Sequence, residues 1–293
     1  MKALKFYKTK GFEVHEDAVN RKHEGDIKRR LISINQMIYL EYENFNDKFE
    51  SNTLHHLKPN ISFNDYNNNL QTLYKYTSYP IQKLRKAIQA SNPDTISSTC
   101  QNCTVDTLNS MDHILPKSKY PEFIVHPRNL IPSCTTCNSI KNNLIAEGDY
   151  QPLLNLYIDI LPKEQYLFAI ISLDEYEELD FIFELRNENC NINEHLFSVL
   201  ENHFTKLKLL YRMKLKAIEL LTAFKNEMKN FSKAFPFDEV IKIQMLSVEE
   251  NLEAYGDNHW QYILQKSLLE SPLFKVHIES LIENEKLIQP SSI

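Results

Sequence analysis

Glycine is nearly missing from this 293-residue chain: it occurs four times, at Gly11, Gly25, Gly148 and Gly256. A GxxxxGK[ST] phosphate loop and a GxGxxG dinucleotide turn both need clustered glycines, so both are excluded. Long apolar runs are lacking as well, and none approaches the ~20 residues that cross a bilayer. The stretch "MKALKFYKTKGFEVHED" is basic but has no continuous apolar core and no small-residue cleavage site, so it does not read as a secretory signal. A cytoplasmic protein with no membrane association is expected. Excess positive charge is missing too. Thirty-three Lys and Arg against 39 Asp and Glu leave a net charge of −6, which argues against indiscriminate coating of nucleic acid but leaves room for a local basic surface. Apolar content of 42% with 25% charged residues is that of a soluble globular chain able to bury a core.

Cysteine is sparse but concentrated. Four of the five stand between residues 100 and 137, and the fifth, Cys190, reads most simply as a free thiol. In a reducing compartment, paired CxxC units are metal ligands before they are disulfides.

Three regions separate by pattern. Residues 1–95 carry apolar residues at helical spacing in "DIKRRLISINQMIYLEYENFNDKF" and in "NNLQTLYKYTSYPIQKLRKAIQAS", the latter divided near Pro80. Between them "HHLKPNISFND" reads as a loop with a helix cap at Ser62 or Asn64. Residues 96–148 hold the cysteine module. Residues 149–293 begin with two β-prone runs, "EQYLFAIISL" and "LDFIFELRN", around the polar "DEYEE", which predicts a hairpin. Amphipathic helices follow, the first one long or two consecutive over "INEHLFSVLENHFTKLKLLYRMKLKAIELLTAFKNEMKNF". Its Lys206, Lys208, Arg212, Lys214, Lys216, Lys225 and Lys229 read as a solvated face before a nucleic-acid cradle, with Leu207, Leu210, Leu215, Leu220 and Leu221 packing. The N-terminal cluster of Lys2, Lys5, Lys8 and Lys10 with Lys28, Arg29 and Arg30 is ambiguous in the same way. The fold class expected is α+β and mostly helical, a small zinc module set between helical flanks.

In the module, Cys100-x2-Cys103 and Cys134-x2-Cys137 are separated by thirty residues. Each pair can form a knuckle whose two thiolates point the same way, and two knuckles complete a tetrahedron around Zn²⁺. Unrelated thiols or a redox centre are the rival reading. Four sulphur ligands leave the ion no open position, so chemistry must come from what the zinc holds. Two short strands are expected near 109–114 and 128–132, then a helix over 135–146 that places Asn138, Lys141 and Asn142 on one face.

The stretch from Cys100 to about residue 143 resembles an HNH nuclease module with zinc knuckles. The motif stands here as Asp112-His113 with Pro116 and Ser118 in "DHILPKS", as Asn129 in "RNLIPSC", and as Asn138 and Lys141 in "CNSIK". The resemblance implies that His113 is the general base, that Asp112 and Asn138 ligate a catalytic metal, and that Asn129 orients the base. Asn138 replaces the family's last His, and a hard oxygen ligand favours Mg²⁺ or Mn²⁺. The Gly-Gly that often follows this motif is "KYPEF" here, which bears on loop shape. Lys117, Lys119, Arg128 and Lys141 supply cations for phosphates. The expected activity is hydrolysis of DNA. RNA is the alternative substrate, and a non-catalytic, zinc-stabilised nucleic-acid-binding or scaffold protein is the competing class. The resemblance extends to effectors of bacterial anti-phage defence governed by a partner ATPase or sensor.

Overall fold

The computed structural model describes residues 1–8, 11–146, 150–188 and 191–288. Lys10, Gly148 and Cys190, all singled out above, lie outside the described residues. No helix among the described residues is long and apolar enough to cross a membrane. The architecture is α+β and mostly helical, with two small two-stranded sheets. The chain divides into two compact units, Lys2–Leu161 and Pro162–Ile293 with Met1.

The first unit opens with α1 (Phe12–Asn20), α2 (Asp26–Ser33) and α3 (Asn35–Glu50), continues through the short α4 (Asn67–Gln71) and α5 (Tyr79–Ala90), and reaches α6 (Asp94–Ser97). Then come β1 (Ser110–His113), β2 (Leu130–Ser133) and α7 (Thr135–Lys141). The helical pattern over residues 26–50 forms two helices, divided at Ile34. Pro80 falls in the first turn of α5, where its missing N–H costs nothing. The cap expected at Ser62 or Asn64 is instead supplied by Asn60, whose side-chain oxygen accepts from the Ser62 N–H over a 3₁₀ turn.

The first unit owes its core to the period of α3. Ile38, Tyr42, Phe45 and Phe49 recur at steps of four, three and four, and all are buried. Their rings pack on the segment joining β1 to β2. Phe45 lies 4.9 Å from Phe123 and 4.1 Å from His126, and Tyr42 lies 4.3 Å from His126, centroid to centroid. The "KYPEF" departure is therefore a packed connection, built on 3₁₀ turns at Pro121–Phe123 and Pro127–Asn129. Gly11 serves the same contact. Its φ is +88°, and a Cβ there would stand 2.2 Å from Pro127 Cγ, so no other residue fits without displacing that turn.

Glu122 in this connection is buried at 1% exposure, and its Oε2 has no hydrogen-bond partner. Burial pushes its carboxyl from 4.5 up to about 8. Between those values the folded chain keeps a proton that the unfolded chain has lost, so stability falls as pH rises through the window. Glu122→Gln keeps the shape and removes the ionisation. Its stability advantage over the parent is expected to widen from pH 6 to pH 8 by on the order of 2 kcal/mol in urea unfolding; a gap that stays constant would mean the carboxyl is already ionised at pH 6.

In the second unit β3 (Leu167–Leu173) pairs antiparallel with β4 (Leu179–Leu185), in register from Leu167 opposite Leu185 to Leu173 opposite Leu179. The connecting turn is stitched by Asp174 Oδ1, which accepts from the N–H groups of Tyr176 and Glu178. Five helices follow: α8 (Glu194–Lys206), α9 (Leu209–Ser232), α10 (Phe237–Tyr255), α11 (Trp260–Glu270) and α12 (Pro272–Ile288). The long amphipathic stretch is two helices, divided where Lys208 adopts a left-handed φ of +54°. The packed face of α9 is Met213, Ala217, Leu221, Phe224 and Met228. Leu215, expected to pack, is 51% exposed. Lys214 pairs with Asp180 at 3.0 Å, Lys225 with Glu178 at 3.7 Å and Lys229 with Glu285 at 2.5 Å, so three of the cations on α9 are matched to carboxylates of their own unit.

Candidate functional site

The four cysteines are built by local backbone geometry. At the first knuckle the N–H groups of Cys103 and Thr104 both donate to the Cys100 carbonyl, and the turn closes with Thr104 at a φ of +54°. Val105 N–H then donates to Cys103 Sγ at 3.4 Å. At the second, Cys134 is the N-cap of α7, and its sulphur accepts from Cys137 N–H at 3.3 Å. None of the four is in a disulfide, and all are buried. Their sulphurs lie within 4.8 Å of one another, and Cys103 and Cys134 are 3.9 Å apart. A tetrahedron with Zn–S of about 2.3 Å requires about 3.8 Å between sulphurs, so the cluster fits the ion. Hydrogen bonds within the cluster lower the Cys103 and Cys134 thiols and raise Cys100 and Cys137, so the four share their protons and a bound cation must displace those that remain. Among the described residues no other His, Cys, Asp and Glu group meets this geometry.

Strand β1 carries Asp112 and His113, and strand β2 faces it in antiparallel register, with Asp112 opposite Ile131 and His113 opposite Leu130. His113 is held by its ring. Nε2 lies 2.9 Å from the Ile124 carbonyl, which can only accept, so Nε2 carries the proton and Nδ1 keeps the lone pair. Burial pushes the imidazole down to about 3, which leaves it neutral at working pH. Asp112 uses one oxygen, Oδ1, to accept from His113 N–H at 2.7 Å and from Lys141 Nζ at 3.4 Å. Burial raises its carboxyl to about 6, opposed by the Lys141 ammonium.

Asn138 reaches β1 from the first turns of α7. Its Nδ2 donates to Ser110 Oγ at 2.7 Å, and among the described residues no hydrogen bond takes up its Oδ1, the acceptor of the carboxamide. These groups border a cleft of about 270 Å³ lined by Asp112, His113, Lys117, Asn138, Asn142 and Asn143. The helix ends at Lys141 rather than 146, because Asn142 turns to a φ of +46° and lays its side chain at the cleft.

Other anticipated residues sit differently. Asn129 directs its hydrogen bonds to backbone groups rather than to the imidazole. Its Oδ1 accepts from Leu115 N–H at 2.7 Å, and its Nδ2 donates to the carbonyls of Leu115 and Phe123, each at 3.1 Å. It braces the connection whose Ile124 carbonyl holds His113. Arg128 does not face the cleft. It is buried, 2.9 Å from Glu50 and with its guanidinium 5.0 Å from the Phe6 ring and 5.4 Å from the Phe49 ring, so its charge is spent on a structural ion pair. Lys141 points inward, to Asp112 and the His113 carbonyl. Lys117 stands exposed on the rim, and Lys119 is exposed outside the cleft lining. Sequence reasoning missed the Ile124 carbonyl, since a backbone acceptor has no residue signature. It also missed Tyr74, which lies 4.7 Å from the His113 ring.

A four-thiol cluster, two antiparallel strands and a helix around an Asp-His cleft define an HNH-type module, and residues 100–144 match the family model for HNH endonuclease. Over 177 residues the chain is 28% identical to protein ea31 of Escherichia phage lambda, covering 56% of this chain and 59% of that protein. Over 72 residues it is 31% identical to Septu protein PtuB of Bacillus thuringiensis, covering 25% of this chain and 27% of the relative. The matches thus span less than two thirds of either curated relative. No solved structure matches the chain significantly.

Proposed function

We propose that this protein is a divalent-metal-dependent endonuclease that hydrolyses phosphodiester bonds of DNA. The observation that carries the reading is the neutral His113, its Nε2–H spent on Ile124, in one cleft with the Asp112 carboxylate and the Asn138 carboxamide. Nδ1 takes the proton of the attacking water, the water oxygen bonds to phosphorus, and the 3′ oxygen leaves. Asp112, through the oxygen not engaged by Lys141, and Asn138, through Oδ1, would hold Mg²⁺ or Mn²⁺. Both are hard oxygen donors, as those ions require. Such an ion supplies charge neutralisation at the phosphate and at the leaving alkoxide. Lys141 keeps the buried Asp112 paired and ties α7 to β1. Lys117 on the rim meets a flanking phosphate. The four-cysteine zinc is structural and takes no part in the reaction.

The same reading makes the protein a cytoplasmic effector of bacterial anti-phage defence, governed by a partner ATPase or sensor. The family resemblance and the likeness to Septu protein PtuB support it. The test is incubation of the purified protein with plasmid, single-stranded DNA and total RNA, each with Mg²⁺, Mn²⁺ or EDTA. Nicked or linear plasmid that EDTA prevents is the expected result. Cleavage of RNA alone would overturn the substrate, and binding without cleavage under every condition would favour a scaffold.

A further inference from the structure

We propose that Tyr74, which lies outside the residues matching the nuclease family model, is a positioning residue of the active site. The inference rests on the assignment of His113 as general base. Tyr74 reaches the module from the segment after α4, which is pinned by the buried Leu70 and Leu73. Its hydroxyl donates to the Met111 carbonyl at 2.9 Å, in the strand that carries Asp112 and His113. Its ring then stands edge-to-face with the His113 imidazole, 4.7 Å between centroids at 66°. Lys117 Nζ lies 5.3 Å from the same ring, and the Lys117 carbonyl accepts from Gln71 Nε2 at 2.8 Å.

The physical need for such a residue is specific. A half-turn of an imidazole about its Cβ–Cγ bond puts a carbon where each nitrogen stood, so Nε2 would lose Ile124 and Nδ1 would leave its place. One hydrogen bond, Nε2–H to Ile124, holds the ring at one corner only. An aromatic wall fixed at its far end by the Met111 bond blocks that rotation and keeps Nδ1 toward the cleft. The same ring gives the Lys117 ammonium a face to rest on, which holds a flexible side chain at the rim. Residues before the zinc module thereby complete the nuclease site.

The experiment compares the full-length parent with Tyr74→Phe and Tyr74→Leu. Plasmid cleavage is measured alongside ¹⁵N–¹H long-range spectra of His113, with zinc content and melting temperature as controls. Tyr74→Leu is expected to lower kcat about 10- to 100-fold with little change in KM, the loss usual when a supporting residue is removed from a catalytic group. Its His113 spectrum should change from a single Nε2–H tautomer to a mixture. Tyr74→Phe, which keeps the ring but loses its anchor on Met111, should fall between the parent and Tyr74→Leu in both readouts. Should Tyr74→Leu lose zinc or unfold, Tyr74→Met replaces it. A non-aromatic variant with parental kcat and an unaltered His113 tautomer would overturn the proposal, as would a rise in KM alone, which would put Tyr74 on the substrate. A parent that does not cleave would remove the nuclease reading, and the tautomer spectra would still decide whether Tyr74 holds the ring.

Discussion

His113→Ala is expected to fold, to bind zinc in parental amount and to lose cleavage. Loss of a positioned general base typically costs 10²- to 10⁴-fold in rate. Little here can replace it. Asp112 is engaged by Lys141 and by the His113 N–H, and Asn138 and Asn142 are amides with no basic lone pair. The folding expectation is equally specific. The His113 side chain makes one hydrogen bond, to Ile124, and Asn129 braces that connection independently through three bonds of its own. The module should therefore survive truncation, with a modest fall in melting temperature. Cleavage within a few-fold of the parent, measured on plasmid with Mn²⁺, would sink the base assignment.

Cys134→Ser carries the second large effect. Structural zinc contributes on the order of 10 kcal/mol to small domains of this kind, which bury too little apolar surface to order themselves without it. Serine can still cap α7, as Cys134 does through its sulphur, but its hard neutral oxygen is a poor substitute for a thiolate on Zn²⁺. The expected outcome is a sub-stoichiometric zinc content and a lower melting temperature. Cleavage should go as well, because α7 carries Asn138 and Lys141 to β1. The core shared with α3 should keep the rest of this unit compact, so the loss ought to be local in hydrogen exchange. A stable, zinc-replete, active variant would show that these four thiols are not the staple.

The spacing of the cysteines determined the cluster, because two residues between thiols suffice to form a knuckle wherever it sits in a fold. The hairpin of β3 and β4 and the buried stripe of α3 were legible for a similar reason: they follow from periods of two and of 3.6, and no distant contact is needed to read them. The break at Ile34 and the position of the one at Lys208 were not legible, since neither residue is Pro or Gly and only packing selects the bend.

At the site the division is sharper. The sequence by itself determined which residues could do chemistry, Asp112, His113 and Asn138, through their order inside a zinc-closed stretch. Tertiary structure alone decided which way each side chain faces. Arg128 reads as a phosphate contact until Glu50 and two phenylalanines, from residues 78 or more positions earlier in the chain, enclose it. Lys141 likewise reads as a phosphate contact until β1 brings it a buried carboxylate. The hold on His113 comes from a backbone carbonyl and from Tyr74, and neither belongs to the motif. A charge or a hydrogen-bonding group acquires its role from what desolvates it and what pairs with it, and those partners arrive only when distant segments of the chain close around the site.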